Sequence, residues 1–258
     1  MSVVFQTRGI PLRQKHWREV DRLYTILTKE EGKVQVVGRG GNKPLAKLSP
    51  HLEFVCEADL MIVRGRSMYT LAGVERWHTF PNLYQDHRRS VLAQSALHLI
   101  DIGTREAEPD PVLYYELKKF LIFVDASPPL TAERSGYLLA SFALKLLAMS
   151  GYRPELFFCL QCKDPIASKT FRWHALKGGV VCDPCSIADQ ETWFAARPME
   201  DRIAKLLRFA LGETFENQLR PHLPGESLGQ FHEAVESLIV SHFPTVPLNS
   251  MREACLKD

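Results

Sequence analysis

Cys159, Cys162, Cys182 and Cys185 form two Cys-x-x-Cys pairs separated by nineteen residues, in a chain of 258 residues with only six cysteines in all. Two intervening residues let the backbone amides of each pair turn back toward the sulfurs. Four soft thiolates at this spacing suit a tetrahedral Zn2+ ion in a ribbon covering about residues 157–187. A shell closed by four sulfurs leaves no position for a substrate, so the expected role of the metal is structural. Buried free thiols, disulfides, a redox couple and an iron–sulfur cluster are the competing readings; the paired spacing favours zinc, and the tighter cysteine runs of ferredoxins are absent. His174 lies between the pairs and is expected to pack rather than to ligate. Cys56, within an apolar strand, and Cys255, in the tail, are expected to be unliganded.

Charge is the second chemical signal. The net charge is only +2, but residues 1–50 hold ten basic residues against four acidic ones, a surplus of +6, which leaves −4 for the remainder. A basic groove can follow a phosphate backbone while aromatic side chains stack on bases. The segment RQKHWR (13–18) is read as a loop that sets Arg13, Lys15 and Arg18 around Trp17. GRGGNKPLAK (38–47) is read as a flexible loop whose Arg39, Lys43 and Lys47 mould to phosphates. Arg8, Arg64 and Arg66, on neighbouring strands and turns, complete the expected nucleic-acid contacts. The plain alternative is a solvated cationic face. GRGGNK is not a nucleotide loop, because the glycine spacing differs and Pro44, not Ser or Thr, follows Lys43. The chain contains no His-Glu-x-x-His, Gly-x-Ser-x-Gly or dinucleotide fingerprint, so nothing in it argues for an enzyme.

The elements that would position these residues change character along the chain. Five strand-like runs are expected at residues 2–9, 21–30, 33–40, 53–65 and 67–77, with turns at Glu31-Gly32 and Gly65-Arg66. Short strands at this spacing suit a five-stranded Greek-key barrel of the OB-fold type. From Pro81 the apolar period becomes helical, with runs over 83–103, 111–125, 133–151, 199–212 and 229–243. Asp110-Pro111 reads as a helix start and Gly151 as a stop. Residues between the cysteine pairs read as a short hairpin turning at Gly178-Gly179. The expected fold class is therefore α+β: an OB-fold barrel over residues 1–80, then a helical domain over 81–258 that carries the four-cysteine zinc ribbon. No signal peptide pattern is visible, and the most apolar helix, from Tyr137, is interrupted by Lys145 and too short to span a bilayer, so a cytosolic protein with no membrane partner is expected.

Longer stretches carry a resemblance. VVFQTRG, EVDRLYTILTKEEGKVQVVGRGGNK and LSPHLEFVCEADLMIVRGRSMYTLAGVERWHTFPNL are similar to the amino-terminal half of the RecO family of DNA repair and recombination mediators. LLAMSGYRPELFFCLQC followed by GGVVCDPC resembles the helical domain and four-cysteine zinc site of that family. The likeness covers about residues 1–215. It departs from the family in the tail from Pro221 onward and at Val20-Asp21, where Ser-Asp is usual. The resemblance implies a non-enzymatic mediator in the bacterial cytoplasm, associated with the nucleoid. Such a protein binds single- and double-stranded DNA, anneals complementary strands and, with RecR, helps to load RecA onto DNA coated by single-stranded DNA-binding protein. It also implies that the acidic tail of the single-stranded DNA-binding protein docks on the helical domain, where Lys118, Lys119, Arg134 and Lys145 are the expected receivers. A zinc-stabilised RNA-binding or transcription-associated OB-fold module is the alternative, because OB-folds and ribbons also serve RNA.

Overall fold

A computed structural model of the chain describes residues 3–52, 55–166, 170–220 and 224–243. Residues 221–223 and 244–258, Cys255 among them, lie outside the described residues. The chain divides into two compact units, Met1–Pro128 and Pro129–Asp258. Strands give way to helices near residue 80, yet compactness groups the first three helices with the strands.

In the first unit β1 (Val3–Trp17), β2 (Asp21–Thr28), β3 (Gly32–Gly38), β4 (Cys56–Arg64) and β5 (Tyr69–Thr79) close into a barrel of order β1-β2-β3-β5-β4. This is the expected OB-fold arrangement. All pairings are antiparallel except that of β3 with β5. Strand β1 serves two neighbours, pairing with β4 over residues 3–9 and with β2 over residues 9–17. At the crossing a Cβ on Gly9 would lie 2.6 Å from Ile26 and 2.9 Å from Leu60. Only glycine permits that close approach where the sheet folds over. Tyr24 and Ile26 of β2, Val34 and Val36 of β3, Ala58, Leu60 and Ile62 of β4 and Leu71 of β5 form the barrel core, following the two-residue period of a strand. Burial of each large side chain contributes about 1.5–3 kcal/mol.

One expectation is corrected here. RQKHWR is not a loop: residues 13–17 are the second half of β1, paired from Arg13 opposite Thr25 to Trp17 opposite Asp21, and only Arg18, at φ 54°, sits in the turn. Both faces of this segment are polar, so it has no apolar alternation to read. Backbone pairing with β2 satisfies its amides whatever the side chains are.

Three helices complete the unit: α1 (Asn82–Gln85), α2 (His87–Gly103) and α3 (Pro111–Ala126). The single helix expected from Leu83 breaks at Asp86, whose extended backbone and carboxylate cap α2 through the amide of Arg89 at 3.1 Å. Asp110 caps α3 as expected, accepting from the amide of Leu113 at 3.0 Å. Buried Lys33 of β3 donates to the carbonyls of Asp101 and Thr104 at the end of α2, a favourable place for a cation. Buried Glu57 of β4 accepts from the Tyr114 hydroxyl at 2.8 Å and pairs with Lys118 at 2.8 Å, both on α3.

The second unit begins with α4 (Ala132–Leu147), buried on nearly every side from Ser135 to Leu144, as a core helix is. It ends in a wide turn where Gly151 takes φ 90°, the expected stop. The ribbon follows: β6 (Phe171–His174), β7 (Gly179–Cys182), α5 (Asp183–Ala188) and β8 (Arg197–Met199). The expected hairpin is present, with Gly178 at φ 65°. The third strand, β8, consists of Arg-Pro-Met and is too short to show a period. Helices α6 (Asp201–Gly212), α7 (Phe215–Gln218) and α8 (Gly225–His242) close the unit, with α4 packed on α6 and α8. Among the described residues no helix is long and apolar enough to cross a membrane.

Candidate metal centre and nucleic-acid interface

Two tight turns bring the four cysteines together. Cys159 and Cys162 flank a knuckle closed by the amide of Lys163 donating to the Cys159 carbonyl at 3.0 Å, with Lys163 held at φ 63°. Cys182 ends β7, and Cys185 lies one turn into α5 behind Pro184. All four sulfurs lie within 4.8 Å of one another, and Cys162 Sγ is 3.9 Å from Cys182 Sγ. A tetrahedral ion with metal–sulfur bonds of about 2.3 Å separates its sulfurs by about 3.8 Å, so the cluster has the dimensions of such a shell. The thiol chemistry fits as well. Burial opposes ionisation of Cys159, but hydrogen bonds from the amides of Cys182, Cys162 and Gln161 outweigh it and lower the thiol to about 6. The neighbouring thiol of Cys182, with burial, pushes Cys185 up to about 12. Four thiols in so small a volume shed all their protons only when a cation joins them. These residues can therefore hold a metal ion. His174 is not among the ligands: it is buried, accepts from the Lys177 amide at 3.2 Å and packs edge-on against Trp193.

Side-chain hydrogen bonds join the ribbon to its helices. Trp173 Nε1 donates to Ser237 Oγ of α8 at 3.0 Å. Arg208 of α6 donates to the Leu156 carbonyl at 3.0 Å and lies over the Phe157 ring, just ahead of Cys159.

At the barrel, the structure sorts the candidate cations into two groups. Arg8 pairs with Asp59 at 2.9 Å, Arg13 with Asp101 at 2.7 Å and Arg64 with Glu31 at 3.2 Å. Lys15, Arg18, Arg39, Lys43, Lys47 and Arg66 are exposed and have no carboxylate partner among the described residues. Five of these six lie on two segments that hydrogen bonds join. The amide of Asn42 donates to the Val20 carbonyl at 2.8 Å, its side-chain amide donates to the Asp21 carbonyl at 2.6 Å, and the Gly40 amide donates to Asp21 Oδ1 at 2.8 Å. These bonds tie the β1–β2 hairpin, with Lys15, Trp17 and Arg18, to the segment after β3, with Arg39, Lys43 and Lys47. Lys15 lies 5.7 Å over the half-buried Trp17 ring.

The segment expected as a loop at 38–47 is a chain of turns with bonds of its own. Ser49 Oγ donates to the Gly41 carbonyl at 2.8 Å and in turn accepts from the buried Tyr24 hydroxyl at 3.0 Å. A cavity of about 330 Å³ opens beside it, lined by Tyr24 and Leu71 at the base and by Arg39, Lys43 and Lys47, with no carboxylate among its lining residues. A larger cavity of about 750 Å³ on another side of the unit has Glu30, Glu57, Asp59 and Glu75 against Arg8, Lys29 and Lys118. The sign of charge makes the smaller cavity the better neighbour for phosphate.

Of the expected partner residues, Lys118 is held by Glu57, and Lys119 lies 3.9 Å from Glu116. In the second unit Arg134 stands in the first turn of α4, and Lys145 lies 5.3 Å over the Phe215 ring. Sequence reading passed over Trp77, which is 60% exposed on β5 with the Arg8 guanidinium 4.0 Å from its ring centre. Its exposed position among polar neighbours at the end of β5 was the available signal.

Comparison with known proteins divides the chain near residue 80, ahead of the boundary between the two compact units. Residues 1–80 match the model described as Recombination protein O N terminal, and residues 84–252 match Recombination protein O C terminal. Similar proteins include the DNA repair protein RecO of Desulfitobacterium hafniense, 29% identical over 182 residues that cover 70% of this chain and 64% of the relative. That of Dehalococcoides mccartyi is 27% identical over 235 residues, 91% and 89% of the two chains. That of Alkaliphilus metalliredigens is 27% identical over 256 residues, 98% and 99%. The chain thus spans somewhat less than two thirds of the first relative and nearly all of the last. The C-terminal match continues past residue 215 into the tail.

Proposed function

Because the chain belongs to the Recombination protein O family, we propose that it is a non-enzymatic recombination mediator in DNA repair. It binds single- and double-stranded DNA, anneals complementary strands and, together with RecR, helps to load RecA onto DNA coated by single-stranded DNA-binding protein. It works in the bacterial cytoplasm, at the nucleoid. The observation that carries this reading is a set of cations without carboxylate partners among the described residues, Lys15, Arg18, Arg39, Lys43 and Lys47, on two bonded segments at one end of the barrel, three of them lining a cavity with no carboxylate among the described residues. Such a surface attracts phosphate by releasing condensed counterions. With two backbones screened, complementary strands approach, and base pairing supplies the free energy of annealing. Trp17 and Trp77 offer rings on which unpaired bases stack. Arg66 lies on the turn after β4, and Arg8, Arg13 and Arg64 contact DNA only by exchanging a carboxylate for a phosphate.

The four cysteines hold Zn2+ in this reading. The ion supplies folding free energy to a ribbon with little core of its own. Arg134 and Lys145, both on α4, receive the acidic tail of the single-stranded DNA-binding protein, while Lys118 is occupied by Glu57 and Lys119 lies beside Glu116.

The test is annealing of complementary oligonucleotides at low salt, with and without single-stranded DNA-binding protein. Acceleration by the protein that falls with added salt is expected. No acceleration, together with preferential binding of structured RNA, would overturn the proposal.

A further inference from the structure

Asp21 is an acidic residue at the centre of the proposed DNA surface, where its charge alone opposes phosphate. Its two backbone-facing roles explain its place. Oδ1 accepts from the Gly40 amide at 2.8 Å, and its carbonyl accepts from Asn42 Nδ2 at 2.6 Å. Asn42 completes the tie: its amide donates to the Val20 carbonyl at 2.8 Å and its Oδ1 accepts from Arg22 Nε at 2.8 Å. Arg22 in turn reaches Gln14 Oε1 of β1 at 3.3 Å. Arg18, at φ 54°, and Gly40, at φ 65°, stand in left-handed turns on either side of this network. The β1–β2 ladder closes the Arg18 turn at Trp17 opposite Asp21, but no ladder joins that hairpin to the segment after β3, because β2 and β3 end their pairing at Arg22 opposite Gly38. The bonds of Asp21 and Asn42 are what join the two segments beyond that point.

We propose that Asp21 and Asn42 are positioning residues of the DNA surface: they dock the β1–β2 turn on the segment after β3, so that Lys15 and Arg18 form one continuous cationic track with Arg39 and Lys43. This rests on the DNA-binding reading above. A track assembled in advance presents its charges together without ordering two mobile turns at the moment of binding. Asp21 therefore aids phosphate binding despite its sign.

Opposite predictions separate positioning from charge. Removing a carboxylate beside a phosphate site tightens binding if charge alone matters. Positioning predicts the reverse for Asp21→Ala, with single-stranded oligonucleotide affinity reduced about fivefold to tenfold at low salt, the loss of one or two well-placed phosphate contacts. Asp21→Asn keeps an oxygen acceptor for the Gly40 amide and loses only the charge, so it binds at least as tightly as the parent. Asn42→Ala changes no charge and weakens binding to a similar degree. Amide hydrogen exchange gives a readout without DNA: Gly40 and Asn42 are protected in the parent and in Asp21→Asn, and Gly40 loses protection in Asp21→Ala. Equal or tighter binding by Asp21→Ala and an unchanged affinity for Asn42→Ala would overturn the inference. If Asp21→Ala does not fold, unchanged affinity for Asn42→Ala overturns it alone. Failure of the parent protein itself to bind DNA in a salt-dependent way would sink the functional proposal instead, and the exchange experiment would still decide whether the two residues join the turns.

Discussion

Replacing Arg39, Lys43 and Lys47 together with glutamine tests whether the unpaired cations are the phosphate contacts. Each lies on the segment after β3, lines the carboxylate-free cavity and has no ion-pair partner among the described residues. A single-stranded chain releases about 0.7 counterion per phosphate neutralised, so losing three contacts flattens the slope of log affinity against log salt by about 2 units. The matched control is Arg8, Arg13 and Arg64 changed to glutamine. It removes the same formal charge, but from side chains already paired with Asp59, Asp101 and Glu31 at 2.9, 2.7 and 3.2 Å. An arginine that neutralises a carboxylate releases few counterions on DNA binding. The control is expected to lower affinity through the general field while leaving the slope nearly unchanged. Fluorescence anisotropy of a labelled oligothymidylate, titrated at about 50 to 200 mM salt, reads both quantities. Equal loss of slope in the two triple variants would refute the reasoning, since the pairing seen in the fold would then not govern which cations meet phosphate.

Changing Cys162 and Cys182 to serine is expected to abolish stoichiometric metal binding and lower the melting temperature before DNA affinity changes; full metal content by elemental analysis would contradict the zinc assignment. Lys118→Met leaves the carboxylate of Glu57, which is 1% exposed, with the Tyr114 hydroxyl but no ion-pair partner among the described residues, so a loss of about 3 kcal/mol is expected, and denaturant midpoints showing under about 1 kcal/mol would argue against a stabilising pair. Burial, reinforced by Lys177, holds His174 below its ordinary 6.5, so on acidification the unfolded chain takes up the proton first. Its contribution is complete above about 6.5 and declines as pH falls below that value. His174→Asn keeps an acceptor for the Lys177 amide and is expected to lose less stability than the parent between about pH 7 and pH 5; equal losses would count against it.

Much of the architecture was legible in order. Tyr24 and Ile26, Val34 and Val36, and Ala58, Leu60 and Ile62 recur every second residue in the barrel core, the period of a strand, although β2 and β3 are buried on their other face as well. Asp110-Pro111 and Gly151 mark helix ends through local backbone chemistry alone. The four cysteines were readable because ligand spacing within a tight turn is a local property. The second half of β1 was not, since its polar residues owe their strand conformation to partners in β2. The same holds for the placement of the 38–47 segment, which depends on Asp21 and on Tyr24 acting through Ser49.

Charge draws the line between sequence and tertiary structure most clearly. Composition alone located the excess of ten bases over four acids in the first fifty residues, because formal charge belongs to each residue separately. Which of those bases remain available was decided only by folding, which set Arg8 against a carboxylate 51 positions away, Arg13 against one 88 away and Arg64 against one 33 away. An electric field at a surface depends on distances between charges, and distances across the chain exist only once it has folded.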